Sequence, residues 1–501
     1  MLVNLLFASL GYVAIRIVIA PVRIKLLTSL LSKEDYALLT LAMLTVSFVT
    51  LISSLGSLEF MLRKIPGRDR GFQFSTLRTI MSFFGLLGIV IAALGGLALM
   101  VWTPARFPLG RSDAVALGLI LVLTVHLTQL VYFLMGRSEY AHSRMLMLLY
   151  ADAWFLPLLV FMGRIRISIS FILWLWVIWL FLSMAVSQSL VSLREVFQRS
   201  SPRARLRPIL AFGVPLLPMI MGEWIFQVQD RYVLLAFTNL DALANYTLCF
   251  NIAWVGVGTG TSLLDVLVTE FYKARNLSGS RTLAELRAYP PLRKSFTLML
   301  RYGLILAVPI VLALWIARTP IVLLLSDPKF ADAAELMKWV APLPLCYILV
   351  IISGRTLMAL DRGMLVGAST LAAAGVHLTL SVVLAPRLGE RGVALAGCAA
   401  YTLLAIHLGM QARIVRWIDW SELRPIRLGV FFLVTAAGLI CAVRYVAGHH
   451  FWILASGGAI SLAALLLLGL VRKSDVDHLL RSVQSPSEPE EAALQEPFAR
   501  D

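Results

Sequence analysis

The chain is poor in charge. Of its 501 residues only 14% are Asp, Glu, Lys or Arg, against 59% that are hydrophobic, and the mean hydropathy is +0.84. A soluble chain carries nearer a quarter charged residues, so a water-soluble enzyme or binding domain is excluded. Cysteine is scarce. Cys249, Cys346, Cys398 and Cys441 all fall in apolar runs without paired spacing, which argues against a disulfide framework or a zinc site. Histidines are few and scattered, and His449-His450 has no ligand partners nearby, so no metal site is expected. Phosphate-loop chemistry is missing too. "VGVGTGTS" at 255–262 is Gly-rich, but it lies mid-span and lacks a following Lys, so it reads as a close-packing helix face. "NYT" at 245–247 matches a glycosylation acceptor but lies within a span. No Ser/His/Asp arrangement stands out. The chain is therefore expected to be neither an enzyme nor an ATPase, and to need no cofactor.

What is present is apolar sequence in helix-length runs, from the first residue to about residue 471. The first run is interrupted by Arg16 and lacks a basic start and a small-residue cleavage site, so it reads as a retained span rather than a signal peptide. Cutting at polar breaks gives about fourteen spans. They lie near 4–28, 36–58, 77–102, 114–136, 146–163, 168–192, 209–236, 242–266, 296–323, 339–360, 363–386, 391–413, 427–446 and 451–471. An even count puts both termini on one side.

Base outnumbers acid, 44 to 28, for a formal net charge of +16. In a chain of this hydropathy that excess orients spans and does not signal nucleic acid. The basic connections are 59–78, 193–208 and 267–301. With the tail, their face carries roughly twice the Lys and Arg of the other, which predicts cytoplasmic termini. The tail, 474–501, is acidic and Pro-containing and is expected to be disordered.

A faint repeat runs through the chain. The first span, with Pro21, is followed by the break "SKEDY" and an uninterrupted span. The seventh, with Pro215 and Pro218, is followed by "TNLDALANY" and another. Six spans is an even offset, so the repeat would be parallel, as in two-lobed transporters.

Both first members carry charge. On a helix, Glu223, Gln227 and Asp230 form one stripe, followed by Arg231, and Arg16 and Arg23 are seven apart. Each charge costs at least about 3 kcal/mol near mid-membrane, so the stripes should face a bundle interior or a water-filled cavity. Two readings stay open: a buried ion pair, for instance Arg16 with Glu223, or groups facing a substrate cavity. Other charges are less telling. Glu59 and Arg63 can pair at i, i+4. Arg355, Asp361 and Arg362 sit at a helix end, where snorkelling is the default. Asp265 and Glu270 end the eighth span, and Asp152 suits a packed hydrogen bond as well as an ion site.

Four stretches carry a family resemblance. "LLSKEDYALLTLAMLTVSFVTLISSLGSLEFMLRKI" resembles the first-to-second span signature of bacterial polysaccharide flippases, in the multidrug/oligosaccharidyl-lipid/polysaccharide exporter superfamily. "FGVPLLPMIMGEWIFQVQDRYVLLAFTNLDALANYTLCFNIAW" is similar to the family's seventh and eighth spans. "TPIVLLLSDPKFADAAELMKWVAPL" resembles its ninth-to-tenth connection, and "APRLGERGVALAGCAAYTLLAI" the Pro-x-x-Gly element opening the twelfth. Together they cover roughly 1–415. The eighth span lacks the family's usual terminal proline, and two extra spans follow the twelfth, as in the lipid II branch.

The resemblance implies an all-α polytopic membrane protein with two six-helix lobes in a V, 1–195 and 196–415, then two further transmembrane helices at 416–473 and the tail at 474–501. It implies a flippase of the bacterial inner membrane for an undecaprenyl-diphosphate-linked oligosaccharide, used in export or assembly of a cell-surface polysaccharide such as lipopolysaccharide or exopolysaccharide. Its partners would be that substrate, membrane lipids and polysaccharide-assembly proteins. Arg16 and Arg23 could then bind pyrophosphate. Glu223, Gln227, Asp230 and Arg231 would line the path, the acids and amide meeting sugar hydroxyls or a coupling proton. An ion-coupled drug or metabolite antiporter would want a clustered buried acid group in one lobe, whereas the acids here are spread out. A membrane polysaccharide polymerase or ligase would want a long outer loop, and none exceeds about fifteen residues on these boundaries.

Overall fold

Polar side chains at the breaks start the helices. Ser32 Oγ accepts the Asp35 N–H at 3.0 Å, and Asn239 Oδ1 accepts the Ala242 N–H at 2.9 Å. These caps satisfy backbone donors that a helix leaves unpaired at its start. The two breaks that marked the faint repeat thus do the same job, one opening the second span and the other the eighth.

The computed structural model describes residues 15, 18–65, 69–101, 110–137, 139–161, 167–191, 206–277, 285, 289–360, 362–446 and 450–471. Arg16, Asp361, the tail at 474–501 and the side chains of Arg63, Asp265 and Glu270 lie outside the described residues. The described chain is helical: α1 (18–30), α2 (Lys33–Ser54), α3 (Ser57–Lys64), α4 (Arg70–Val101), α5 (Arg111–Gly136), α6 (Tyr140–Met147), α7 (Ile169–Leu190), α8 (Leu206–Gly213) and α9 (Leu217–Phe237). There follow α10 (Leu240–Leu277), α11 (Pro290–Ile316), α12 (Arg318–Leu325), α13 (Ala333–Val340), α14 (Leu343–Ala359), α15 (Gly363–Ala412), α16 (Trp420–Leu423), α17 (Pro425–Tyr445) and α18 (His450–Leu467).

Nine segments among the described residues are long and apolar enough to cross a membrane. Helical segments also stand at the other expected positions, α1 (described from residue 18), the stretch 140–161, α9, α10 and the second arm of α15. The protein is a polytopic all-α membrane protein. Leu86, Ile178, Leu433 and Ile426 are among many apolar side chains left exposed, as a surface meeting lipid requires.

Two of these segments are not simple rods. At 50 residues α15 would be about 75 Å long as one helix, over twice the hydrocarbon thickness. It breaks at Gly389, where φ is +58°, three residues after Pro386. Only glycine takes that conformation without strain. The returning arm passes close by, since a Cβ on Gly392 would stand 2.7 Å from the Leu384 carbonyl oxygen. The fifth expected span, 146–163, is also broken: α6 passes into a π turn at Leu148–Asp152 and then a 3-10 turn at Leu156–Phe161. Trp179 Nε1 on α7 donates to the Leu149 carbonyl at 2.7 Å, satisfying an acceptor inside the wide turn.

Packing divides along the chain. In the first half α5 packs on α2, α3, α4 and α7. In the second, α9 lies along α15, α14 also packs on α15, and α11 packs on α10 and α14. The helices α17 and α18 pair with each other, with α17 against α11 and α18 against α12. The two halves meet where α2 and α3 pack on α8, α9 and α10.

Candidate site at the seam between the halves

Helices α2 and α9 run antiparallel at this seam. The Thr45 and Tyr232 hydroxyls are 2.7 Å apart. Phe48 stacks on Trp224 with ring centroids 3.6 Å apart. Further along, the α2–α3 bend reaches the end of α8. Leu55 and Gly56 both have positive φ, +43° and +75°, so the chain turns its backbone outward. A Cβ on Gly56 would stand 2.5 Å from Gly213 Cα, and one on Gly213 would overlap the Leu55 carbonyl oxygen. Glycine at both positions is what allows this backbone-to-backbone contact.

The opposite end of the seam is tied by two lysines that cross in opposite directions. Lys25 Nζ on α1 donates to the carbonyls of Leu323 at 3.2 Å and Ser326 at 2.5 Å. Lys329 Nζ, in the turn after α12, donates to the Leu31 carbonyl at 2.6 Å. Asp327 N–H donates to Thr28 Oγ1 at 3.2 Å, Tyr36 meets Phe330 edge-on at 5.5 Å, and Lys33 stands 3.8 Å from Asp332. Burial pulls the Lys329 ammonium below its ordinary pKa, while Asp327 acts the other way. Each end of the seam thus has contacts that cross between the halves.

The residues expected to line a site divide into three places. Arg23, half-buried on α1, is within electrostatic reach of Tyr36, whose hydroxyl accepts Asn251 Nδ2 at 3.2 Å. Glu223 is exposed and Gln227 half-buried on α9. Asp230 and Arg231 are each 1% exposed and engage each other, Arg231 Nη1 standing 2.8 Å from Asp230 Oδ1. Tyr246 on α10 donates its hydroxyl to Asp230 Oδ2 at 2.5 Å, Arg231 also donates to the Gln227 carbonyl, and its guanidinium lies 3.9 Å from the Phe250 ring centre. The stripe Glu223–Gln227–Asp230 therefore exists as a face of the helix but not as one environment. Its Glu end is open and its Asp end is covered by α10.

Two residues that local reasoning set aside act on Glu223 electrostatically. Glu59 on α3 and Arg355 on α14 both lie within its electrostatic reach. One comes from the first half of the chain and one from the second. Nothing in the sequence signals this, since Glu59 has Arg63 at i+4 and Arg355 stands near a helix end. Beside the Asp230–Arg231 pair, His377 on α15 is 1% exposed, and neither ring nitrogen has a hydrogen-bond partner among the described residues. Among those residues no group of three or more His, Cys, Asp or Glu side chains comes together.

The arrangement can be set beside known proteins. No family model matches the sequence, and no curated protein does. Solved structures do match. A structure described as lipid II flippase MurJ in an inward closed conformation aligns over 93% of this chain and 99% of its own, with TM-score 0.69 at 12% identity. An inward-facing multidrug resistance MATE family transporter of the MOP superfamily aligns over 84% of this chain and 99% of its own, with TM-score 0.65 at 13% identity. A MOP superfamily transporter from Pyrococcus furiosus aligns over 84% and 96%, with TM-score 0.59 at 13% identity. The fold is that of MOP superfamily transporters, the superfamily that the sequence resemblance indicated.

Proposed function

We propose that this protein moves an undecaprenyl-diphosphate-linked oligosaccharide from the cytoplasmic to the outer leaflet of a bacterial inner membrane, for assembly or export of a cell-surface polysaccharide. The halves 1–195 and 196–415 would alternate in opening at the two ends of the seam, with both termini cytoplasmic. The observation that carries this reading is the place of Glu223 and Gln227 on α9, the helix that meets α2 across the seam through Thr45–Tyr232 and Phe48–Trp224, in a chain with the fold of flippases and exporters. Charge in such a place is costly to keep dry and suits a polar headgroup crossing lipid.

In this reading Arg16 and Arg23 hold the pyrophosphate by charge-assisted hydrogen bonds. Glu223 and Gln227 meet sugar hydroxyls. Asp230 and Arg231 position α9 on α10 rather than touch cargo, because each already occupies the other. The same occupancy disfavours the ion-coupled antiporter: Asp230, the acid buried among the described residues of the second half, is paired with Arg231 and accepts the Tyr246 hydroxyl.

Depletion of the protein in its host is the test. A lipid-linked glycan should accumulate in the inner leaflet within a few generations. Unchanged glycan lipid together with new sensitivity to cationic drugs would overturn the proposal in favour of the antiporter. Within the site, Glu223→Ala should cut glycan export at least about tenfold while leaving abundance near normal, since an exposed side chain carries little folding energy. Normal export by that variant would remove Glu223 from the path.

A further inference from the structure

Away from the seam, a groove of 460 Å³ runs between α14 and the second arm of α15, where the turn 414–417 closes one end. That volume falls within the range of about 300–1,000 Å³ typical of small-molecule sites. Its walls are apolar, with Leu349, Ala405, Ile406 and Met410 among them. Their polar neighbours are satisfied: Cys346 Sγ lies 3.3 Å from Thr402 Oγ1, and Ser353 Oγ donates to the Leu349 carbonyl at 2.7 Å. Ile406, Met410 and Val415 are exposed, so the groove opens sideways on the apolar surface of the bundle.

The closed end is different. Arg413 and Arg416 line it, both exposed, and neither side chain has a hydrogen-bond or ion-pair partner among the described residues. Arg413 caps α15 with φ at +51°, its N–H donating back to the Gly409 and Met410 carbonyls, so the helix stops at this groove. Trp420, exposed four residues beyond Arg416, opens the apolar segment Trp420–Tyr445, a position that suits the membrane–water boundary.

We infer that this groove holds one acyl chain of an anionic glycerophospholipid of the bilayer, with the lipid phosphate between Arg413 and Arg416. An apolar trough facing hydrocarbon, ending in two unpaired cations at headgroup depth, matches such a lipid in both shape and charge. Basic pockets between transmembrane helices recognise anionic headgroups by this chemistry. A zwitterionic lipid offers the same chain but no net charge for the arginines. The site is separate from the seam and does not depend on the cargo proposed above.

The test is native mass spectrometry of the full-length protein in detergent, with phosphatidylglycerol and phosphatidylcholine as probes. Phosphatidylglycerol adducts should dominate. The double variant Arg413→Gln with Arg416→Gln should lose that preference by about tenfold or more, from the removal of two cations near the membrane surface. Arg413→Lys with Arg416→Lys keeps the charge and should keep the preference. Gly409→Leu, which fills the trough, should lower adducts of both lipids. Unchanged phosphatidylglycerol binding by a folded Gln variant, or loss of preference in a folded Lys variant, would overturn the inference. Displacement of phosphatidylglycerol by equimolar undecaprenyl diphosphate would also overturn it, by making the groove part of the substrate's route.

Discussion

Gly213→Ala should abolish transport while the chain still inserts. The added Cβ would overlap the Leu55 carbonyl oxygen and crowd Gly56, and both obstacles are backbone. No rotamer change can relieve the clash, so the halves must separate at that end. Overpacking costs typically about 1–3 kcal/mol, and a rigid obstacle puts this case at the upper end. At that size the balance moves roughly a hundredfold away from the closed arrangement. A cysteine placed at Ser57 should then react much faster with a water-soluble maleimide than in the unsubstituted background. Wild-type transport with unchanged labelling would show that this contact is not needed for the cycle.

Asp230→Ala should destabilise the protein rather than merely slow it. Removing the carboxylate leaves Arg231 buried without its ion-pair partner and deprives Tyr246 of its acceptor. Breaking such a pair costs about 3–5 kcal/mol, because the remaining charge is stranded. Abundance and thermal stability in detergent should both drop. The double change Asp230→Leu with Arg231→Met, which replaces the pair by apolar volume, should recover most of the stability. Export should return with it if the pair only positions α9. If Asp230→Ala keeps normal stability yet loses export, the pair belongs to the transport path after all.

Much of the architecture was legible in sequence because the bilayer imposes one length on every span. Apolar runs of about twenty residues between polar breaks have few alternative readings. The breaks that matter carry their own chemistry: Ser32 and Asn239 cap helices, and Pro386 with Gly389 turns α15 back on itself. The break at 148–161 was not legible, since Leu, Met and Phe fit an α, π or 3-10 turn alike.

The site was read only in part, for a different reason. A local pattern could place Glu223, Gln227 and Asp230 on one face. It could not show that α10 covers the far end of that face, nor that Asp230 is spent on Arg231. Glu59 and Arg355 look like ordinary helix-end charges until the fold puts both within electrostatic reach of Glu223. The lysine ties are further still from local reasoning, with Lys25 and Lys329 each bonding to a carbonyl roughly three hundred residues away. Gly56 and Gly213 announce freedom of backbone but not each other.

The central claim is that cargo crosses only when the seam can open. It is tested most directly in proteoliposomes containing the purified protein and a fluorescent undecaprenyl-diphosphate oligosaccharide. Flipping is read as the fraction of label protected from a membrane-impermeant quencher. The double variant Thr28→Cys with Asp327→Cys places thiols where Asp327 N–H meets Thr28 Oγ1 at 3.2 Å. Reduced, it should flip the lipid at a rate near that of the cysteine-free background. Oxidised, with the lysine-tied end of the seam clamped, it should fall to the rate of empty liposomes and recover on adding reductant. Equal flipping in the clamped and reduced forms, or none in either while the background protein is active on small cationic drugs, would contradict the account.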